Sequence, residues 1–230
     1  MKKINLMQVV PSLQSGGVEQ GTIDVANYLA ETEIKNYIAS RGGQMLSYLN
    51  KRYVEHYTMP VHSKNFLLMP FVARKMNKII NENNVNILHI RSRAPAWLLP
   101  YINKRKLKTV STFHNVYGYN NMIKKIYTRQ LSNVDNIVAI SKYVKEEIVK
   151  NYRINQNKIS VINRGIDANF LNADIDNQEN FIHFTNKYRI NMQNKIILFP
   201  GRLTGWKGQL EFLKIAEYFK EEPIVFYFVG

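Results

Sequence analysis

Apolar and polar positions repeat along this chain in a fixed order: an apolar run, a break at glycine or a cation, then a helical stripe. Residues 4–10 form the first run, with the apolar, β-branched character of a buried strand. Gly16-Gly17 breaks it, and Val18, Thr22, Val25, Ala26 and Leu29 follow at helical spacing. Residues 36–40 read as a second short strand, ended by Arg41-Gly42-Gly43. An irregular stretch around Pro60, which includes His56 and His62, precedes a helix over 66–81. A strand over 86–90 ends at Arg91-Ser92-Arg93, and Pro95 suits the first turn of a helix over 96–104. Strand 108–113 ends at His114, helix 122–131 leads to strand 136–140, and Ser141 caps the next helix. Strand 158–162 ends at Arg164-Gly165.

Apolar strands alternating with helices predict a parallel sheet covered on both faces. With right-handed crossovers this is a doubly wound, Rossmann-like α/β domain over residues 1–167. Residues 168–194 are polar and read as an irregular linker. At Lys195 the strand–turn–helix pattern restarts, and residues 223–229 read as another strand. Residues 195–230 therefore read as the first strand–helix–strand of a second, incomplete Rossmann-like domain.

Composition narrows the partners. The chain has 230 residues, 45% hydrophobic and 21% charged, which is an ordinary globular balance. It has no cysteine, which excludes disulfides, a thiol nucleophile and thiolate metal ligands. Met1-Lys2-Lys3 precedes a short run interrupted by Pro11, Ser12 and Gln14, so the segment reads as a strand rather than a leader. A net charge of +15 favours anionic partners: nucleic acid, an acidic membrane surface or phosphorylated small molecules. No helix-turn-helix, RNP or zinc-finger pattern supports the first of these.

Ligands of open parallel sheets bind beyond the carboxyl ends of the strands. The candidates there are Gly16-Gly17, Arg41-Gly42-Gly43, Arg91-Ser92-Arg93, His114-Asn115, Arg164-Gly165 and the segment 202–207. This rim is basic, glycine-rich and poor in carboxylates. Glycines let backbone N–H groups approach an anion, and arginine supplies a planar fork. A hard cation would need several carboxylates, so no metal is expected. Each signal has a plainer reading. Gly16-Gly17 can be a tight turn, since the third glycine of a G-x-G-x-x-G fingerprint is missing. Arg91 and Arg93 can be solvated loop charges. His89, within a strand, reads as a core histidine, while His114 at a strand end reads equally as packing or as ligand contact.

The strings "PSLQSGGVEQ", "SRGGQML", "HIRSRAPAW", "STFHNVYG", "VAISKYVKEEI", "VINRGID" and "LFPGRLTGWKGQLEFLKIA" occur in the order and spacing of glycosyltransferase family 4. The chain most resembles the bacterial branch that builds lipopolysaccharide core and related surface saccharides. The resemblance implies a GT-B fold and metal-free, retaining transfer from a UDP- or GDP-linked sugar to a saccharide or lipid-linked acceptor. It implies that Arg202, Lys207 and Gly17 contact the donor diphosphate and that His114 lies near the transferred sugar. Asn115 stands where the group usually has glycine. Gly16, Arg91, Arg93 and Arg164 are the further residues expected in the cleft or at the acceptor. The family's Glu-x7-Glu signature would lie past residue 230, so the expectation is a truncated chain, silent alone or completed by a separate polypeptide. Cytoplasmic placement, on the inner face of the membrane, goes with that pathway. The alternative is a non-catalytic remnant, or a module binding an anionic acceptor or membrane.

Overall fold

A computed structural model describes residues 3–117, 121–166, 178–205 and 207–229. The chain divides into two compact units, Met1–Gly165 and Ile166–Gly230. The first contains β1 (Asn5–Val9), α1 (Gly17–Ala30), β2 (Lys35–Ser40), β3 (Val54–Thr58), α2 (Met69–Glu82), β4 (Ile87–Ile90), α3 (Arg93–Ala96), β5 (Lys108–Phe113), α4 (Met122–Arg129), β6 (Asn136–Ala139), α5 (Lys142–Tyr152) and β7 (Ile159–Val161). The second contains α6 (Gln178–Lys187), β8 (Lys195–Pro200), α7 (Gln209–Tyr218) and β9 (Ile224–Val229).

The first unit is one seven-stranded sheet in the order β3-β2-β1-β4-β5-β6-β7. Every pairing in it is parallel. Its central strands are buried: Met7, Val9, Ile38, Ala39, Ile90 and Ala139 are all fully enclosed. That enclosure explains the continuous apolar runs in the sequence. One core packs α1 against Val10, Leu13, Ile38 and Val54, through Ile23 and Ala26. A larger one gathers Met69, Ala73 and Met76 of α2 with Leu88, Phe113 and Ile137 of the sheet. The Ser141 hydroxyl accepts from the Val144 N–H at 3.2 Å, the cap expected for α5.

Three local expectations need correction. The helix expected over 96–104 is only α3 followed by a 3-10 turn at Leu99–Tyr101. Pro100 lacks an N–H and restricts the residue before it, so a regular helix cannot run through. Residues 54–58, read as irregular, form edge strand β3, which pairs only with β2 among the described residues. Edge exposure lets it alternate polar residues, and that hid the apolar run. His56 therefore lies in a strand, 2.8 Å from the Ser40 hydroxyl through Nε2. Within the 168–194 stretch, residues 178–187 are helical rather than irregular; residues 168–177 lie outside the described residues.

In the second unit β8 and β9 pair in parallel, from Lys195↔Ile224 to Pro200↔Val229. Phe212 seats α7 on them, with ring centroids 4.8 Å from Phe199, 5.4 Å from Phe226 and 5.0 Å from Phe228. No helix among the described residues is long and apolar enough to cross a membrane.

Candidate functional site

β1 lies between β2 and β4, so the strand order reverses there. At such a point the crossovers diverge and leave a crevice beyond the strand ends. Gly16 and Gly17 follow β1, Arg91 follows β4, His114 follows β5 and Arg164 lies three residues beyond β7. All five belong to the first unit.

Gly16 caps α1 with φ 139°, a conformation that an L side chain rarely adopts. Its carbonyl accepts from the Gln20 N–H at 2.9 Å, and no side chain caps the first N–H groups of the helix. The Glu19 carboxylate folds back beside it: a Cβ at Gly16 would stand 2.8 Å from Glu19 Oε2.

Arg91 is buried, only 6% exposed. Its Nη1 donates to Gln8 Oε1 at 2.9 Å, and Gln8 Nε2 donates to the Thr22 carbonyl of α1 at 3.2 Å. Arg91 Nε is buried without a partner. Burial, then the nearby Arg164 charge, pulls the guanidinium down to about 10, with Asp24 opposing. It remains charged at neutral pH. Arg164 donates through Nη2 to the Gly17 carbonyl. A Cβ at Gly17 would overlap its guanidinium. One turn on, a Cβ at Gly21 would meet Arg164 Nη2 at 3.1 Å and Arg91 Nη2 at 3.3 Å. Gly21 is thus a site residue that the sequence reading missed. The signal was available, because a glycine inside a helix costs about 1 kcal/mol and needs a reason.

Both ring nitrogens of His114 are buried and have no partner. Burial first, then Arg91 and Arg164, push its pKa down to about 3. The ring is therefore neutral at pH 7, offering one N–H donor and one lone pair to whatever enters. His89 differs. Its Nε2 lies 2.7 Å from the Thr112 hydroxyl, inside the sheet, as its core reading required. Burial, Arg91 and His114 also take its pKa down to about 3.

Arg93 is engaged elsewhere. Its guanidinium lies over the Tyr117 ring at 4.3 Å and the Tyr127 ring at 5.9 Å, and does not converge on Gly21.

Arg202 and Lys207 belong to the second unit, on the loop from β8 to α7, and both are exposed. Gln209 Nε2 donates to the Arg202 carbonyl at 2.8 Å, and the Lys207 N–H donates to the Thr204 carbonyl at 3.1 Å. Gly201 at φ 157° and Gly208 at φ 87° bracket the loop. Gly208 caps α7 without a side chain, which leaves its first N–H groups open to an anion.

A doubly wound parallel domain with a cationic, glycine-lined switch point, followed by a β–α–β unit with a second such loop, has the elements of the GT-B fold. The model for glycosyltransferase family 4 matches residues 15–170, and the chain belongs to that family. A glycosyltransferase from Rickettsia africae is 37% identical, superposes with a TM-score of 0.85 and matches 100% of this chain. The chain spans 61% of that structure's length. Anabaena Alr3699/HepE, solved with UDP and glucose, shares the fold at 15% identity and TM-score 0.77, over 99% of this chain and 61% of its own. WaaG, a glycosyltransferase involved in lipopolysaccharide biosynthesis, does so at 12% and 0.71, over 98% of this chain and 63% of its own. A subunit of yeast phosphatidylinositol N-acetylglucosaminyltransferase (Saccharomyces cerevisiae) is 28% identical over 94 residues, 38% of this chain and 21% of that protein.

Proposed function

We propose that the polypeptide bearing this chain is a retaining glycosyltransferase. It moves a sugar from a UDP- or GDP-linked donor to a saccharide or lipid-linked acceptor of a cell-surface glycan, in the manner of lipopolysaccharide assembly. The observation that carries the reading is His114: a neutral imidazole with two unpartnered buried nitrogens, just beyond β5 on the rim of a family 4 sheet. Such a ring suits hydrogen bonds to the uncharged hydroxyls of a sugar. The UDP and glucose bound by HepE support a nucleotide-sugar donor.

In this reading Arg202 and Lys207 bind the donor diphosphate. Negative charge grows on the leaving phosphate as the glycosidic bond breaks. Fixed cations then stabilise the transition state more than the ground state, the service a divalent metal gives in other transferases. Losing one such contact costs roughly 2.7 to 4 kcal/mol, or about two to three decades in rate. Lys207→Ala should lower turnover by that much without changing the circular dichroism spectrum, and EDTA should leave the rate unchanged. Wild-type kinetics in Lys207→Ala overturns the assignment.

We also propose a cytoplasmic, peripheral position on an anionic membrane. The net charge of +15 supports it. So does an exposed apolar set, Phe66, Leu67, Leu68, Phe71, Met122, Ile123 and Ile126, with Lys64, Arg74, Lys75 and Lys124 on the same segments.

A further inference from the structure

We propose that Arg91 and Arg164 form a second anion site within the first unit, against the Gly17–Gly21 face of α1, which takes a phosphate-class oxyanion of the acceptor. The word acceptor rests on the proposed function; the anion site does not.

Two guanidinium groups converge on one turn of a helix, and both lie against the position of a Gly21 Cβ. Like charges so placed repel. Among the described residues no carboxylate forms an ion pair with either; the two ion pairs there are Lys78–Glu82 and Lys220–Glu221. Asp24 acts on Arg91 only through space, and its carboxylate accepts from Gln20 Nε2 at 2.7 Å. Glu19, the other acid of this helix face, lies beside Gly16. An enclosed cation surrounded this way is stabilised by an incoming anion.

Arg91 shows where that anion belongs. The side chain is 6% exposed, and its Nε has no acceptor. A buried, charged donor without an acceptor is costly, and native proteins keep few of them. One edge of the fork is occupied: Nη1 is fixed on Gln8. Nε and Nη2 remain to be matched by two oxygens of one tetrahedral anion. Arg164 is exposed and tethered to the Gly17 carbonyl, so its other nitrogens can close on the same ligand.

The glycines fit this role. Gly17 and Gly21 lie four residues apart, so they stack on one face of α1. A side chain at either position would meet a guanidinium. The charge on offer is two, which a phosphate near its dianionic form balances. A neutral hydroxyl does not.

The test uses the 230-residue chain at constant ionic strength, with inorganic phosphate, glucose 6-phosphate and UDP as probes in calorimetric titrations. Arg164 is exposed, so Arg164→Gln should fold normally. Gly21→Ala gains helix propensity but sets a Cβ 3.1 Å from Arg164 Nη2 and 3.3 Å from Arg91 Nη2, so its fold is checked by circular dichroism beside Arg164→Gln. Both variants should bind phosphate and glucose 6-phosphate at least tenfold more weakly than wild type. Lys207→Ala should retain the phosphate binding that Arg164→Gln and Gly21→Ala lose. Unchanged phosphate affinity in Arg164→Gln and Gly21→Ala overturns the site. So does a loss confined to Lys207→Ala. If UDP displaces glucose 6-phosphate from Lys207→Ala protein at equal concentration, the anion is the donor's and the acceptor assignment falls. Phosphate binding that follows the proposal, alongside a failure of the whole polypeptide bearing this chain to transfer sugar from any UDP- or GDP-linked donor, would leave the site standing and remove the proposed function.

Discussion

Arg91 Nη1 donates to Gln8 Oε1 at 2.9 Å, and both side chains are buried. Gln8 also donates to the Thr22 carbonyl, so one amide ties the end of β4 to the interior of α1 through β1. This explains a glutamine at full burial in the central strand. Removing it leaves a buried guanidinium short of an acceptor. Gln8→Leu should cost about 2 to 4 kcal/mol. Arg91→Leu, which strands an amide oxygen and not a charge, should cost about 1 to 3 kcal/mol. The double Leu variant should lose less than the sum by roughly 1 kcal/mol or more. Urea unfolding of the four proteins measures this, and strict additivity would contradict the coupling.

His89 and His114 set a pH dependence. Both fold as neutral rings with pKa lowered to about 3, mainly by burial, from an ordinary value of 6.5. The unfolded chain therefore binds more protons than the folded one between those values. Stability is fully present above pH 6.5 and falls as pH drops toward 3. Each ring contributes up to about 1.4 kcal/mol per pH unit within that window. Urea midpoints at pH 7.5, 6 and 5 should fall in that order, and His114→Gln should flatten the slope. A midpoint independent of pH over that range would show that the rings are not held neutral.

Gly43 has φ 154°, and a Cβ there would run into the Leu13 carbonyl group, with Gln14 N at 2.7 Å. The close approach is useful. Met45 N–H donates to the Leu13 carbonyl at 2.8 Å, and Leu13 N–H donates to the Gly42 carbonyl at 3.0 Å. These bonds press the loop after β2 against the loop after β1, which leads to Gly16. Gly43→Ala meets backbone rather than a flexible side chain, so it should cost about 2 to 4 kcal/mol. A thermal midpoint within a degree of wild type would refute the constraint. Gly205, with open space around its Cβ position, provides the control: Gly205→Ala should change stability little.

The doubly wound architecture was legible because six of the seven strands in the first sheet are marked by apolar runs. Edge strand β3 was not, since one exposed side dilutes its pattern. The rim was legible too, because glycines and cations recur after strand ends. Partnership was the missing information. Arg91 and Arg93 stand two residues apart in one motif, yet one is buried on Gln8 and the other stacks on Tyr117. Periodicity cannot distinguish them, because Tyr117 comes from beyond β5 and Gln8 from β1. Gly21 was invisible for the same reason: its neighbours Arg91 and Arg164 are remote in the chain.

The proposed membrane face can be tested at its apolar centre. Phe66 lies 4.5 Å from Trp97 and Trp97 5.8 Å from Tyr127, centroid to centroid, so Trp97 joins the segment before α2 to α4. On these two segments Leu67 is 81% exposed and Ile123 77% exposed. Lys64, Arg74, Lys75 and Lys124, on the same segments, are exposed as well. A surface with apolar side chains among lysines suits the interface of an anionic bilayer, where each well-placed cation contributes about 1 kcal/mol. Inserted Leu and Ile add roughly 1.5 to 3 kcal/mol each when fully buried. The protein should co-sediment with vesicles containing phosphatidylserine, and less so in high salt as screening grows. Leu67→Asp/Ile123→Asp should abolish sedimentation while keeping the thermal midpoint, since both side chains already face solvent. Equal binding to neutral vesicles would remove the electrostatic half of the proposal. Undiminished binding by the double variant would place the contact on another face.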